Sequence, residues 1–112
     1  MSDEGETFGP ELLQIEARYE GTQVTLILVG EFDMTGTELF SSHVREAMGT
    51  HPGSIVVNGR RLEFVDSAGL QALMRAREAA VEAGVTFHVD DPSPELLRII
   101  ELTGLRDLLL DE

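Results

Sequence analysis

Residues Phe64 to Leu70 read F-V-D-S-A-G-L. An apolar run meets an aspartate and a serine, then two small residues, and then a helical pattern. From Ser67 to Ala83, the residues Leu70, Leu73, Met74, Arg77 and Val81 recur on one broad helical face. Ala72, Ala76, Ala79 and Ala83 form a second, smooth face suited to close approach to a sheet. Gly84 supplies the stop. The stretch is thus a strand handing over to a helix, with the Ser67 hydroxyl at the junction. Three roles fit a hydroxyl there: a nucleophile, a helix cap, or a target for modification by another protein.

The flanking sequence repeats the alternation of strand and helix. Leu13, Ile15, Ala17 and Tyr19 alternate with polar residues, the period of a half-buried strand. Glu20–Gln23 is a turn, and "VTLILVG" after it is a more buried strand, so the two form a hairpin. Beyond "EFDMTGT", Phe40, Val44, Ala47 and Met48 mark one face of a helix, which His51-Pro52-Gly53 ends. "SIVV" is a short buried strand. "VTFHV" is the fourth strand, and Ser93 caps a last helix with Pro94 in its first position, ending at Gly104. "LRDLLL" is a final apolar turn that packs down. The order β-β-α-β-α-β-α predicts a small α/β fold: a four-stranded mixed sheet with right-handed crossovers and an antiparallel edge from the hairpin. In such sheets recognition favours the carboxyl ends of the strands, where "VDSAG" sits.

Composition narrows the function. The chain has 112 residues, enough for one domain, with 42% apolar content for a modest core. Residues 1–10 are acidic and small and read as a tail, leaving residues 11–112 as the domain. No apolar run approaches the ~20 residues of a membrane span, and no basic-then-apolar leader opens the chain. Cysteine is absent, which excludes disulfide and thiol chemistry and is compatible with the cytoplasm. The net charge is −13 and all eight basic residues are arginine. Such a surface repels nucleic acid and anionic membranes, so neither is an expected partner. A protein partner should instead offer positive potential.

The site chemistry can be weighed residue by residue. Asp66 or Ser67 can cap the helix by accepting from free backbone N–H groups. A cap explains one polar residue but not Ala68-Gly69, whose small side chains leave the helix start open to a partner. A hydrolase would need the G-x-S-x-G elbow, with a very small residue two before the serine. Val65 stands there, no HGG motif is present, and His88, the only downstream histidine, lies mid-strand. His43, His51 and His88 have no metal-ligand spacing, and no phosphate-cradling G-x-x-x-x-G-K-[ST] loop exists. Asp90-Asp91 reads as a solvated turn. Arg60 and Arg61 are placed in a loop before the strand end, and Arg75 and Arg77 on the helix after it. Pairing with Glu78 and Glu82 explains these arginines better than a basic patch does. No catalytic residue, cofactor or metal is expected.

Four stretches, taken in order, resemble a STAS domain of the bacterial anti-sigma factor antagonist type. They are "GEFD", "FVDSAGL", "PSPELLRIIELTGL" and the spacing between them, together covering about residues 13–110. The resemblance implies that Ser67 is a phosphoacceptor. The implied partners are an anti-sigma factor with serine kinase activity, which the unmodified domain binds to free a sigma factor, and a serine phosphatase that resets the switch. Asp33, Asp66, Ser67, Ala68, Gly69 and Leu70 are the expected partner-binding residues, and all but Asp66 are expected to share one exposed surface. The domain itself would catalyse nothing. A STAS-type scaffold, or an accessory subunit of a transporter or stress-signalling assembly, is the alternative. Two positions depart from the pattern. Ala68 stands where the family often has Ser or Thr, and Asn58 where aspartate is common.

Overall fold

The computed structural model describes residues 12–110, so the acidic tail expected over residues 1–10 lies outside the described residues. Strands β1 (Gln14–Glu20) and β2 (Gln23–Phe32) form the antiparallel hairpin. A short 3-10 turn, Met34–Gly36, leads into helix α1 (Thr37–Met48). Strand β3 (Ser54–Val65) passes directly into helix α2 (Ser67–Glu82). Strand β4 (Thr86–Asp90), helix α3 (Pro94–Leu102) and a last turn, α4 (Arg106–Leu109), complete the chain. The sheet order is β1-β2-β3-β4, with β2, β3 and β4 mutually parallel. This is the mixed four-stranded α/β sheet the sequence implies, with β3 interior.

Alternation along the strands selects the core. Val24, Leu26, Leu28 and Phe32 of β2 are buried, and Ile55 and Val57 of β3 pair beside Val24 and Leu26. Phe40, Val44 and Ala47 of α1 join them, with Leu73, Ala76 and Ala80 of α2. Each fully buried aliphatic side chain contributes about 1.5–3 kcal/mol by leaving water. Leu110 adds a parallel bridge to Val89 outside β4, so the last apolar turn packs down as expected.

Backbone chemistry ends the helices where the sequence places the ends. Gly84 (φ +77°) lets the Gly84 N–H donate to Val81 O at 3.0 Å and the Val85 N–H donate to Ala80 O at 2.8 Å. Gly104 (φ +73°) repeats the arrangement, with donations to Glu101 O at 3.2 Å and from Leu105 to Ile100 O at 3.0 Å. Both capture the carbonyls that a helix end leaves unpaired. Ser93 accepts from the Leu96 N–H at 3.1 Å, the cap expected before Pro94.

Two expectations are corrected. Arg60 and Arg61 do not sit in a loop. Strand β3 runs on for 12 residues and absorbs an irregularity, since Ile27 pairs with Asn58 but Val29 with Arg61. Strand β4 pairs only with Ser54–Asn58, and the start of α3 takes over from there. The Ser93 N–H donates to Gly59 O at 3.0 Å, and a Cβ on Gly59 would lie 2.5 Å from Leu96 Cδ2. Arg60 pairs with Asp91 at 3.8 Å, and among the described residues Arg75 and Arg77 form no ion pair with Glu78 or Glu82. The inner face of α2 also differs: of the alanines read as its smooth, sheet-facing side, Ala72 and Ala76 are buried but Ala79 and Ala83 are exposed. Ala80 is fully buried, whereas Val81 is 52% exposed. At ~100° per residue, Ala80 lies about 20° from Leu73 around the helix and Val81 about 80° away.

Candidate functional site

The site grows from the matched ends of β2 and β3. Phe32 and Val65, the last residues of the two strands, are register partners. Asp33 and Asp66 therefore leave the sheet side by side. The Asp66 N–H donates to Phe32 O at 3.3 Å, tying the start of α2 to the end of β2.

Each aspartate caps its own turn. The Asp33 carboxylate accepts from the Thr35 Oγ1–H at 2.6 Å and from the Thr35 N–H at 2.9 Å. The Thr35 hydroxyl first, and then its backbone N–H, hold the Asp33 pKa below the ordinary carboxylate value of 3.8. Asp66 accepts from the Gly69 N–H at 3.0 Å and is the N-cap of α2. This settles the choice between Asp66 and Ser67 as cap. Ser67 occupies the first helical position, is exposed, and makes no side-chain hydrogen bond among the described residues.

A helix start leaves four N–H groups without intrahelical partners. Asp66 N–H goes to Phe32 O and Gly69 N–H to the Asp66 carboxylate. Among the described residues the N–H groups of Ser67 and Ala68 find no partner, beside the Ser67 hydroxyl.

The expected exposed surface is only partly formed. Asp33, Asp66 and Ala68 are half-buried and Ser67 is exposed, but Gly69 and Leu70 are buried. A Cβ on Gly69 would collide with Phe32 O and lie 3.0 Å from Phe32 Cγ. The smallness of Gly69 thus serves the chain's own strand, not an approaching partner. The sequence reading passes over Met34, which stands 73% exposed between Asp33 and Thr35. Its signal is a large apolar side chain inside an otherwise polar turn.

The downstream histidine is far from the serine. His88 lies on β4 opposite Val56, nine residues before the strand end at Val65, about 30 Å at ~3.3 Å per residue. Among the described residues no group of His, Asp and Glu could hold a metal ion, and no helix is long and apolar enough to cross a membrane. The arrangement offers an accessible hydroxyl at a helix start, unpaired N–H groups beside it, and two carboxylates nearby. A family model described as "Mlab, STAS domain" matches residues 15–111. The chain belongs to the STAS-domain family.

Solved structures place this STAS domain in the same fold. An anti-sigma factor antagonist from Mycobacterium paratuberculosis is similar over 90% of this chain and 86% of that one, with TM-score 0.80 and 23% identity. The unphosphorylated form of the anti-sigma factor antagonist SpoIIAA is similar over 88% of each chain, with TM-score 0.76 and 21% identity. The phosphorylated form of the Bacillus cell-fate determinant SpoIIAA is similar over 89% of this chain and 90% of that one, with TM-score 0.68 and 23% identity. No curated protein sequence matches the chain.

Proposed function

We propose that this STAS domain is an anti-sigma factor antagonist switched by phosphorylation at Ser67. Unmodified, it binds an anti-sigma factor that is also a serine kinase, and a sigma factor is released. The kinase transfers the γ-phosphoryl group of ATP to Ser67 Oγ, the hydroxyl proton departs and ADP leaves. The modified domain no longer binds, and a serine phosphatase restores it. The domain catalyses nothing in this cycle, which runs in the cytoplasm.

The observation that carries the reading is the Ser67 hydroxyl itself: exposed, unpaired, and relieved of capping by Asp66. A phosphate adds about −1.5 to −2 charges at neutral pH. At Ser67 it would meet the spare N–H groups of Ser67 and Ala68 and the positive end of the α2 dipole, so the helix tolerates it. A partner seated on Asp33, Asp66 and Ser67 does not tolerate it, because burying an unpaired dianion beside two carboxylates costs several kcal/mol. About 3 kcal/mol already weakens binding more than a hundredfold. The similarity of this chain to both forms of SpoIIAA supports a switch that needs no change of fold.

The test is a titration of four proteins against a purified anti-sigma factor kinase: wild type, Ser67→Ala, Ser67→Asp and kinase-treated wild type, with the phosphate located by mass spectrometry. Wild type and Ser67→Ala should bind alike, Ser67→Asp more weakly and phosphorylated protein weakest. Equal affinity for all four, with Ser67 confirmed as modified, would end the proposal.

A further inference from the structure

Two large apolar side chains stand exposed where the sheet delivers its aspartates. Met34, 73% exposed, follows Asp33, and Phe64, 44% exposed, comes two residues before Asp66. They are the exceptions of their kind among the described residues. Phe32, Phe40 and Phe87 are buried, and Met48 and Met74 pack against the core. Single exposed apolar residues are ordinary on a protein surface. Here one falls beside each of the two carboxylates near Ser67, and both rest on backbone that is already fixed. Phe64 lies in β3, in register with Glu31 of β2. Met34 O accepts from the Thr37 N–H and from the Thr37 hydroxyl at 3.1 Å, which pins the turn beneath the exposed side chain.

The cluster is small enough for one interface. Glu31 and Phe64 are register partners on strands about 4.8 Å apart. Met34 is three residues beyond Glu31 and Ser67 three beyond Phe64, so each lies at most about 11 Å further along its chain. One partner's share of a standard interface, about 800 Å2, is a patch about 32 Å across and takes in all of them. The side chains do not share one plane. Phe32 packs on Phe40 of α1, and its register partner Val65 is buried on that same side. Neighbouring strand residues alternate, so Phe64 turns to the opposite side of the sheet. Ser67 begins α2 and Met34 sits in the turn at the strand ends. A surface that touches all three must be concave and reach over the carboxyl edge of the sheet.

We infer that Met34 and Phe64 are the apolar anchors by which the anti-sigma factor kinase grips this domain, an inference that rests on the function proposed above. The partner surface they fit has an apolar pocket for each anchor and a cationic group between the pockets, opposite Asp33 and Asp66. Among the described residues the Asp33 carboxylate is bonded only to Thr35 and that of Asp66 only to the Gly69 N–H. Both therefore keep lone pairs for such a group. Aromatic residues and methionine are enriched at the desolvated centre of interfaces, where a few side chains carry most of the affinity. Anchors on fixed backbone lose little freedom on docking. A second copy of the chain is a poorer occupant, because bringing together two chains of charge −13 is opposed by their mutual repulsion.

Met34→Ser and Phe64→Thr remove the anchors, the second with a residue that suits a strand. Both variants should fold, with Tm within a few degrees of wild type, since the side chains are exposed. Titrated against a purified anti-sigma factor kinase, each should bind roughly thirtyfold more weakly than wild type, the loss expected of a hot spot. The fold-change should be the same at about 0.1 M and about 0.5 M salt, because apolar contact is not screened as charge is. Leu102→Ser, equally exposed but on α3, should bind as wild type does. Wild-type affinity in both anchor variants, with wild type bound and phosphorylated at Ser67, would overturn the inference and leave the proposed function standing. A wild type that neither binds the kinase nor is phosphorylated would overturn the function and the anchors with it. Self-association of wild type that both substitutions abolish while kinase binding persists would give the two side chains to a second copy, and would overturn the inference as well.

Discussion

Gly69→Ala is the substitution that most directly tests how the site is built. The added Cβ would run into Phe32 O, a backbone atom that cannot rotate away, and press on Phe32 Cγ at 3.0 Å. Helix α2 must then withdraw from the end of β2, stretching the 3.3 Å bond from Asp66 N–H to Phe32 O. Overpacking of this kind costs about 1–3 kcal/mol, and a weakened hydrogen bond about 1 kcal/mol more. Against this, Ala is favoured over Gly within a helix by about 1 kcal/mol. The balance is a loss of about 1–3 kcal/mol, or roughly 4–12 °C in Tm at about 4 °C per kcal/mol. The chain has no tryptophan, so urea unfolding is best followed by far-UV circular dichroism. Gly59→Ala is the control. Its new Cβ meets Leu96 Cδ2, the movable tip of a side chain, so it should lose less. If Gly69→Ala proved as stable as wild type with an unchanged m value, the helix start would not be seated on Phe32 as described, and the glycine would need another explanation.

Two further outcomes follow from the capping assignments. Asp66→Ala should lower stability by about 1 kcal/mol, whereas Ser67→Ala should stay within about 0.5 kcal/mol of wild type, because the Ser67 hydroxyl caps nothing; paired urea titrations check both. Asp33 is held below its ordinary pKa of 3.8 by Thr35, so the stability it contributes is present above that value and lost as pH falls through its lower folded pKa. Asp33→Asn should therefore be less stable than wild type at neutral pH, with the difference shrinking in acid, as measured by urea midpoints across that range.

Much of this was legible because it is written in short-range chemistry. Ser93-Pro94 announces a helix start and Gly84 and Gly104 announce stops, and each acts through atoms within five residues of itself. The mixed pairing, an antiparallel hairpin followed by parallel crossovers, follows from element order. What escaped depends on distant partners. The irregularity at Asn58–Arg61 arises where β4 ends and α3 begins to pack, which no local pattern in "NGRR" records. Val81 looked inward because it is apolar, yet geometry gave that place to Ala80. Asp66 and Ser67 are both good caps by type, and only the position of the first helical residue separates them.

The same geometry explains why "DSAG" could not form a single exposed face. Successive residues of a helix are turned by ~100°, so Ser67 and Gly69 point about 160° apart. Once Ser67 faces solvent, Gly69 must face the sheet, and only glycine fits beneath Phe32 O. Asp66, one step earlier, is not yet helical and can fold its carboxylate back onto the Gly69 N–H. Four consecutive residues are thereby given separate tasks: capping, presentation, spacing and seating. A change of charge at Ser67 reaches neither the Phe32 contact nor the Asp66 cap, so it alters the surface at little cost to the fold. A change of volume at Gly69 does the reverse. Measuring stability and partner binding on both variants should move one quantity in each case, and a Ser67→Asp protein that lost several kcal/mol of stability would show that the two tasks are not separable.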